Sequence, residues 1–316
     1  MKALTPAIAL CVAVLISDNA GAQSAYPHQV FTLVTHSSPG GGSDVFLREL
    51  ARFLGPEMGV EFVVENVRGG SGARAMAQLA NAPADGSVFY ATTPTYIYTS
   101  LLSRPANTYR DLEPIVNVFF DEEVVYTRTS GPFETLEQVI EKARTSRGRG
   151  GASTPASLER QALEQLKLTA GVTAAIVTHE GGGDLMLNVL NGTLDIGVGE
   201  AQEIRTQLDA GQLRILSVFA PEPTERLPGI PTVKELGYDV VLTKFRGIAG
   251  PQGTPPAVVD AWQRGIQRVL ENPDYRDVYE ARILAPQYIE HASYGTFIED
   301  FATRTQDFLR ATGVLQ

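Results

Sequence analysis

Two α/β domains, each a mostly parallel sheet flanked by helices, are what this chain predicts. Three observations carry the prediction. Short apolar runs alternate with amphipathic stretches in the order strand, helix, strand, helix, strand, first in the N-terminal half and again after residue 134. Of 316 residues, removal of the first 22 leaves 294, a length that suits two ordinary domains. A strand that turns through three glycines into a helix occurs twice, as "HSSPGGGSD" from His36 to Asp44 and as "THEGGGD" from Thr178 to Asp184.

The first residues predict an export signal. Met1-Lys2 supplies a positive start, Ala7 to Ile16 an apolar core, and Ala20-Gly21-Ala22 a small-x-small cleavage site, so a mature chain starts near Gln23. The apolar run is well short of the ~20 residues that span a bilayer. Cys11, the single cysteine, lies inside that core, which removes disulfides, thiol catalysis and cysteine metal sites from the mature protein.

Val30 to Val34 reads as a buried strand and Ser43 to Leu54 as a helix with Val45, Phe46, Leu50 and Phe53 on one side. Val60 to Val64 is a strand, Asn66 to Gly72 a glycine-rich loop, and an alanine-rich helix ends near Asn81-Ala82-Pro83. Ser87 to Ala91 is a strand, closed by Thr92-Thr93-Pro94, where the proline can start a helix. Beyond it, Glu134 to Arg144 is a helix, Arg147 to Gly151 a loop, Ser157 to Leu168 a helix and Ala174 to Val177 a strand. A helix over Asp184 to Leu190, a strand over Leu194 to Val198, a helix over Ala201 to Ala210 and a strand over Leu213 to Val218 follow. Pro221, Pro223, Pro228 and Pro231 crowd a loop, and Gly247 to Pro256 is a second proline and glycine stretch. Two or three amphipathic helices, over Ala257 to Leu270, Asp274 to Arg282 and Tyr294 to Thr312, follow.

The first amides of a helix lack partners and sit at the positive end of its dipole, and glycines let a ligand approach that backbone. Each triple-glycine turn can therefore receive a carboxylate, phosphate or sulfate at the carboxyl end of a strand. It can equally be a tight turn, with Asp44 or Asp184 merely an acidic residue in the first helical turn. Neither is a P-loop, since no lysine follows, and Gly69-Gly70-Ser71-Gly72 fails G-x-S-x-G because Ala73 stands where the last glycine belongs. The formal net charge of -10 disfavours nucleic acid and anionic lipid as partners. The histidines His28, His36, His179 and His291 never take the close helical spacing of a hydrolytic zinc site. A triad of Ser37, His179 and Asp44 can be assembled only by free choice.

Several segments resemble the extracytoplasmic solute receptors of the tripartite tricarboxylate transporter family, the Bug or TctC-like proteins. They are "SPGGGSD", "VVENVRGGSGARAMAQLANAPADG" (Val63 to Gly86), "YRDLEPI", "GGGDLMLNVLNGTLDIGVG" (Gly181 to Gly199), "LDAGQLRILSV", "LPGIPTVKELGYDV" and "RGIAGPQGTP" (Arg246 to Pro255). The resemblance implies a two-domain periplasmic binding protein of the Venus-flytrap, type II-like kind. Residues 26 to 123 with 245 to 316 would form one domain and 124 to 244 the other, with hinges near 123 and 244. It implies a small carboxylate held between the domains, transporter membrane subunits as partners, a monomer, no catalysis, no cofactor and no metal.

Matched residue by residue, the resemblance points to Ser37, Gly40, Gly41, Gly42, Ser43 and Asp44 in the first loop. In the second it points to His179, Glu180, Gly181, Gly182, Gly183 and Asp184. Thr92, Thr93, Ser153 and Thr154 end strands at the same edge. Gln202 lies in a further cleft loop over Glu200 to Glu203, and Arg246 is the candidate charged anchor for a carboxylate. The chain departs from the family's pattern at His36, at His179-Glu180-Gly181 in place of aromatic-Lys-Gly, and at Gly151 to Ser157. An acid at 180 would oppose a nearby carboxylate or select a ligand with a donor group. Two rival readings remain: a secreted hydrolase or isomerase using His36 and His179, and a receptor that serves signalling rather than transport.

Overall fold

A computed structural model describes residue 26 and residues 28 to 315. The export signal and Cys11 lie outside the described residues. Two sheets organise the rest. The first contains β1 (Val30–Thr35), β2 (Glu61–Asn66), β3 (Val88–Thr92), β4 (Leu112–Asp121), β10 (Lys244–Pro251) and β11 (Ala285–Ile289), in the spatial order β11-β4-β10-β3-β1-β2. The second contains β5 (Glu123–Arg128), β6 (Gly148–Ala152), β7 (Ala174–Thr178), β8 (Ile196–Glu200) and β9 (Leu213–Val218), ordered β7-β6-β8-β5-β9.

Strands buried on both faces need apolar residues at consecutive positions, because neighbouring side chains point to opposite sides. In β1, Leu33 joins one core with Phe46, Leu50, Trp262 and Ile266, while its neighbour Val34 joins another with Met76, Tyr90, Tyr96 and Tyr294. Helices α1 (Gly42–Met58), α8 (Pro256–Glu271) and α9 (Pro273–Ala281) supply the first core. Helices α2 (Ala73–Ala80), α3 (Pro94–Ser103) and α10 (His291–Ala311) supply the second. In the second sheet Val125 packs with α4 (Leu136–Thr145) and α5 (Leu158–Ala170), and Val124 and Tyr126 face Leu185 and Val189 of α6 (Gly182–Leu190). Each fully buried Leu, Ile or Phe here contributes about 1.5–3 kcal/mol relative to exposure.

Three expectations are corrected. The sheets are mixed rather than mostly parallel. β1 is parallel to β2 and β3, and β6 to β7 and β8, but β10 runs antiparallel to β3 and β4, and β5 antiparallel to β8 and β9. The glycine-rich run at 147 to 151 is not a loop. It forms β6, between β7 and β8, and a Cβ on Gly151 would overlap Leu185 and Leu194, so glycine is what lets those leucines close over the strand. The helix placed over Ala201 to Ala210 shrinks to α7 (Arg205–Asp209), with residues 201 to 204 in turns.

The crossings between sheets position the site. β4 ends at Asp121 and β5 begins at Glu123, so only Glu122 separates the two sheets. The return is made by β10, whose Lys244 pairs in register with Asp121. Asp121, Glu123, Lys244 and Arg246 are therefore brought together by topology.

Candidate functional site

Both triple-glycine turns lie at the carboxyl ends of strands, β1 into α1 and β7 into α6. They face each other across one cavity with about 320 Å³ between its atoms. His36, Ser37, Gly42, Ser43, Thr93 and Thr95 line it from the first sheet's side. Ser153, Thr154, Glu159, Glu180, Gly181, Gly182, Glu200 and Glu203 line it from the other, with Lys244 at the crossing. The lips touch: a Cβ on Gly181 would overlap Ser38, and one on Gly183 would come within 3.3 Å of the Pro39 carbonyl. Arg68 reaches Asp184 at 4.0 Å.

Glu203 stands between the two helix N-termini. The Gly42 N–H at the start of α1 donates to its carboxylate, and a Cβ on Gly182 at the start of α6 would overlap that same carboxylate. The first turn thus offers a backbone donor to a carboxyl group, and the carboxyl it holds belongs to the protein.

Deeper in the cleft two cations sit on β10. Residues two apart on a strand share a face, so Lys244 and Arg246 point the same way. Lys244, 3% exposed, meets Glu123 at 3.0 Å, Glu159 at 2.5 Å and Glu200. Arg246, fully buried, meets Asp121 at 2.6 Å and Glu200 at 3.0 Å. Glu123, Glu159 and Glu200 lie close enough together to hold a metal ion, but the Lys244 ammonium already bridges all three. Burial and then the neighbouring acids fix the protonation states. Burial raises Glu123 well above the carboxylate range, despite the opposing pull of Lys244. Glu200 is held low by Lys244 and Arg246 against the upward push of burial. Burial and then Glu200 push Glu203 well up. Against burial, Glu123, Glu159 and Glu200 keep Lys244 charged. Burial and Lys244 lower His36 to about 4, so its ring is neutral where it meets the Tyr90 hydroxyl at 2.8 Å.

Of the residues singled out from sequence, Ser37, Gly42, Ser43, Thr93, Ser153, Thr154, Glu180, Gly181 and Gly182 line the one cavity. The others are placed around it. Asp44 ties its own loop, accepting from Gly40 N at 2.9 Å and from Arg48 and Asn66. Gly41 is packed against Ser37, and the Thr92 hydroxyl shares a 2.7 Å hydrogen bond with Tyr294. His179 turns its Nδ1 to the Ala152 carbonyl at 3.2 Å, and Gln202 donates to Asp121 at 2.7 Å. Gly183 and Asp184 belong to the lip contact. Arg246, the candidate charged anchor, lies behind the cleft with its guanidinium engaged by Asp121 and Glu200. No hydrogen bond among the described residues joins Ser37, His179 and Asp44 into a triad. Sequence reading missed Asp121, Glu123, Glu159 and Lys244. The signal that could have found them was two bases at strand spacing in an otherwise apolar run, Lys244-Phe245-Arg246, and two acids flanking a one-residue crossing.

Two sheets joined by crossing strands, with a narrow cleft between opposed strand ends, define a two-domain periplasmic binding protein fold. Solved structures agree. The periplasmic binding protein BugD has a TM-score of 0.85 at 21% identity, covering 92% of this chain and 99% of its own. "R. palustris Rpa4515 with adipate" has 0.86 at 23%, covering 92% and 99%. Protein BugT of Bordetella pertussis is 24% identical over 295 residues, 91% of this chain and 90% of BugT. The family described as Tripartite tricarboxylate transporter family receptor, TctC, matches residues 46–314, and the chain belongs to that family.

Proposed function

We propose that the protein is a periplasmic receptor that captures a small carboxylate-bearing solute in this cleft and delivers it to the membrane subunits of a tripartite tricarboxylate-type transporter. The observation that carries the reading is Gly42 N–H donating across the cleft to a carboxylate, with the α6 N-terminus facing the same group. A helix start that holds Glu203 can hold a solute carboxylate in its place. Adipate in the Rpa4515 relative supports the class of ligand. Thr93 and Thr154, one from each side, present buried hydroxyls without a partner among the described residues and would complete the contacts. No helix of the described residues is long and apolar enough to cross a membrane, which suits a receptor that meets separate membrane subunits. Closure of the two sheets about the crossings at Glu122 and Lys244 would trap the solute.

Titration calorimetry and thermal shift against mono-, di- and tricarboxylates, with and without amino or hydroxyl substituents, test the reading. At least one binds with Kd well below about 1 mM and raises Tm. If none does so, the carboxylate-receptor reading fails.

A further inference from the structure

Acidic groups outnumber basic ones in the cleft. Asp121, Glu123, Glu159, Glu200 and Glu203 face only Lys244 and Arg246, and each of those bases is already shared among two or three acids. Glu203 makes no ion pair among the described residues, and neither does Glu180, which lines the same cavity. An entering solute therefore meets Glu203 and Glu180 without a basic partner, and no side-chain cation among the described residues that is not already engaged by an acid. Independently, Thr93 Oγ1 and Thr154 Oγ1, in residues 1% and 6% exposed, line the cavity with no hydrogen-bond partner among the described residues. A hydroxyl can accept from an ammonium as readily as it donates to a carboxylate.

We infer that the solute carries a cationic nitrogen as well as its carboxylate, and that Glu203 is the residue that selects for it. The inference rests on the receptor reading and narrows it. A diacid would place its second carboxylate beside Glu203 and Glu180. At about 5 Å and an effective dielectric of ~20, such repulsion weakens binding by roughly a hundredfold or more. An ammonium or guanidinium at that position reverses the sign. The solute's carboxylate then takes the backbone amides of the glycine turns and the threonine hydroxyls, and its nitrogen takes Glu203 and Glu180.

Proton linkage follows from the same geometry. Glu203 faces Glu200 on β8, Lys244 and Arg246 on β10, Tyr126 on β5 and the Gly42 amide on α1. Burial and Glu200 push its carboxyl well up. A cationic group beside the pair opposes that push, so solute binding favours proton release.

The test is calorimetry at neutral pH in two buffers of different ionisation enthalpy. The probes are ω-amino carboxylates of three to six carbons and the diacids of matching length. The expected result is that the best amino carboxylate binds at least about tenfold tighter than its matched diacid, with proton release that disappears in Glu203→Gln. Glu203→Asp keeps the preference, and melting curves confirm that both variants are folded. A diacid that binds tighter than its amino partner overturns this inference and leaves the receptor reading standing. An unchanged preference in folded Glu203→Gln overturns the role of Glu203. No binding by any carboxylate of either class overturns both readings.

Discussion

Lys244→Met removes the single ammonium that three carboxylates share, and its effect can be worked from the distances. At 2.5 Å to Glu159, with an effective dielectric of ~20, that pair attracts by about 6–7 kcal/mol. Desolvation of the ions offsets most of that gain, so the expected loss is the one seen when a buried pair loses one partner, about 3–5 kcal/mol. For a chain of this size that lowers Tm by on the order of 6–15 °C. Methionine matches the aliphatic stem of lysine, so little of the loss is packing.

The assay is urea denaturation of Lys244→Met, Glu159→Gln and the double variant. If the three acids depend on Lys244, the two substitutions couple by about 1–3 kcal/mol, because the double variant leaves one fewer carboxylate without a partner. A Lys244→Met protein within about 0.5 kcal/mol of wild type, or strict additivity, would refute the assignment of Lys244 as the bridge between sheets.

Thr93→Val and Thr154→Val should each weaken solute binding by about fivefold, the equivalent of one hydrogen bond near 1 kcal/mol. Their melting temperatures stay level or rise, since each removes a buried hydroxyl that has no partner among the described residues; calorimetry and thermal shift report both. His36 gives a pH dependence. Its folded value is lowered to about 4 from the ordinary 6.5, so its contribution is fully present above about pH 6.5 and is lost as pH falls toward 4. The total is about 3 kcal/mol, and His36→Gln should flatten the stability slope over that window in urea titrations. A slope unchanged by the substitution counts against a neutral, buried His36.

How much of this was legible depended on what each residue answers to. The strand, glycine turn and helix of His36 to Asp44 and of Thr178 to Asp184 are local features, and both were readable because backbone conformation and helix capping are decided by a few neighbours. β6 was not readable: "GRGGA" carries every local sign of a loop, and it is a strand only because Leu163, Leu185 and Leu194 need the space above it. Antiparallel β10 was hidden for a similar reason, since Lys244 and Arg246 interrupt its apolar pattern and are explained only by acids more than forty residues away. Arg246 was read as a charged anchor, and its guanidinium is engaged within the protein. Its partners, Asp121 and Glu200, come from different sheets, and no periodicity within one segment announces such a meeting.

The position of these charges relative to the crossings decides what would move if the two sheets rotate about them. Lys244 pairs in the ladder with Asp121, one residue from the crossing at Glu122, so its ion pairs lie near the axis about which the sheets would rotate. Contacts near an axis change little on rotation, whereas those at the lips change most. The Gly42 to Glu203 hydrogen bond and the packing of Gly181 on Ser38 are lip contacts. Gly181→Ala should therefore act on the lips alone, because its methyl group would overlap Ser38. Small-angle scattering should show a larger radius of gyration, solute affinity should fall, and Tm should drop far less than in Lys244→Met. An equal Tm loss in the two variants would mean that lips and crossing form one cooperative unit. An unchanged radius with unchanged affinity would mean that the lips yield to a methyl group without parting.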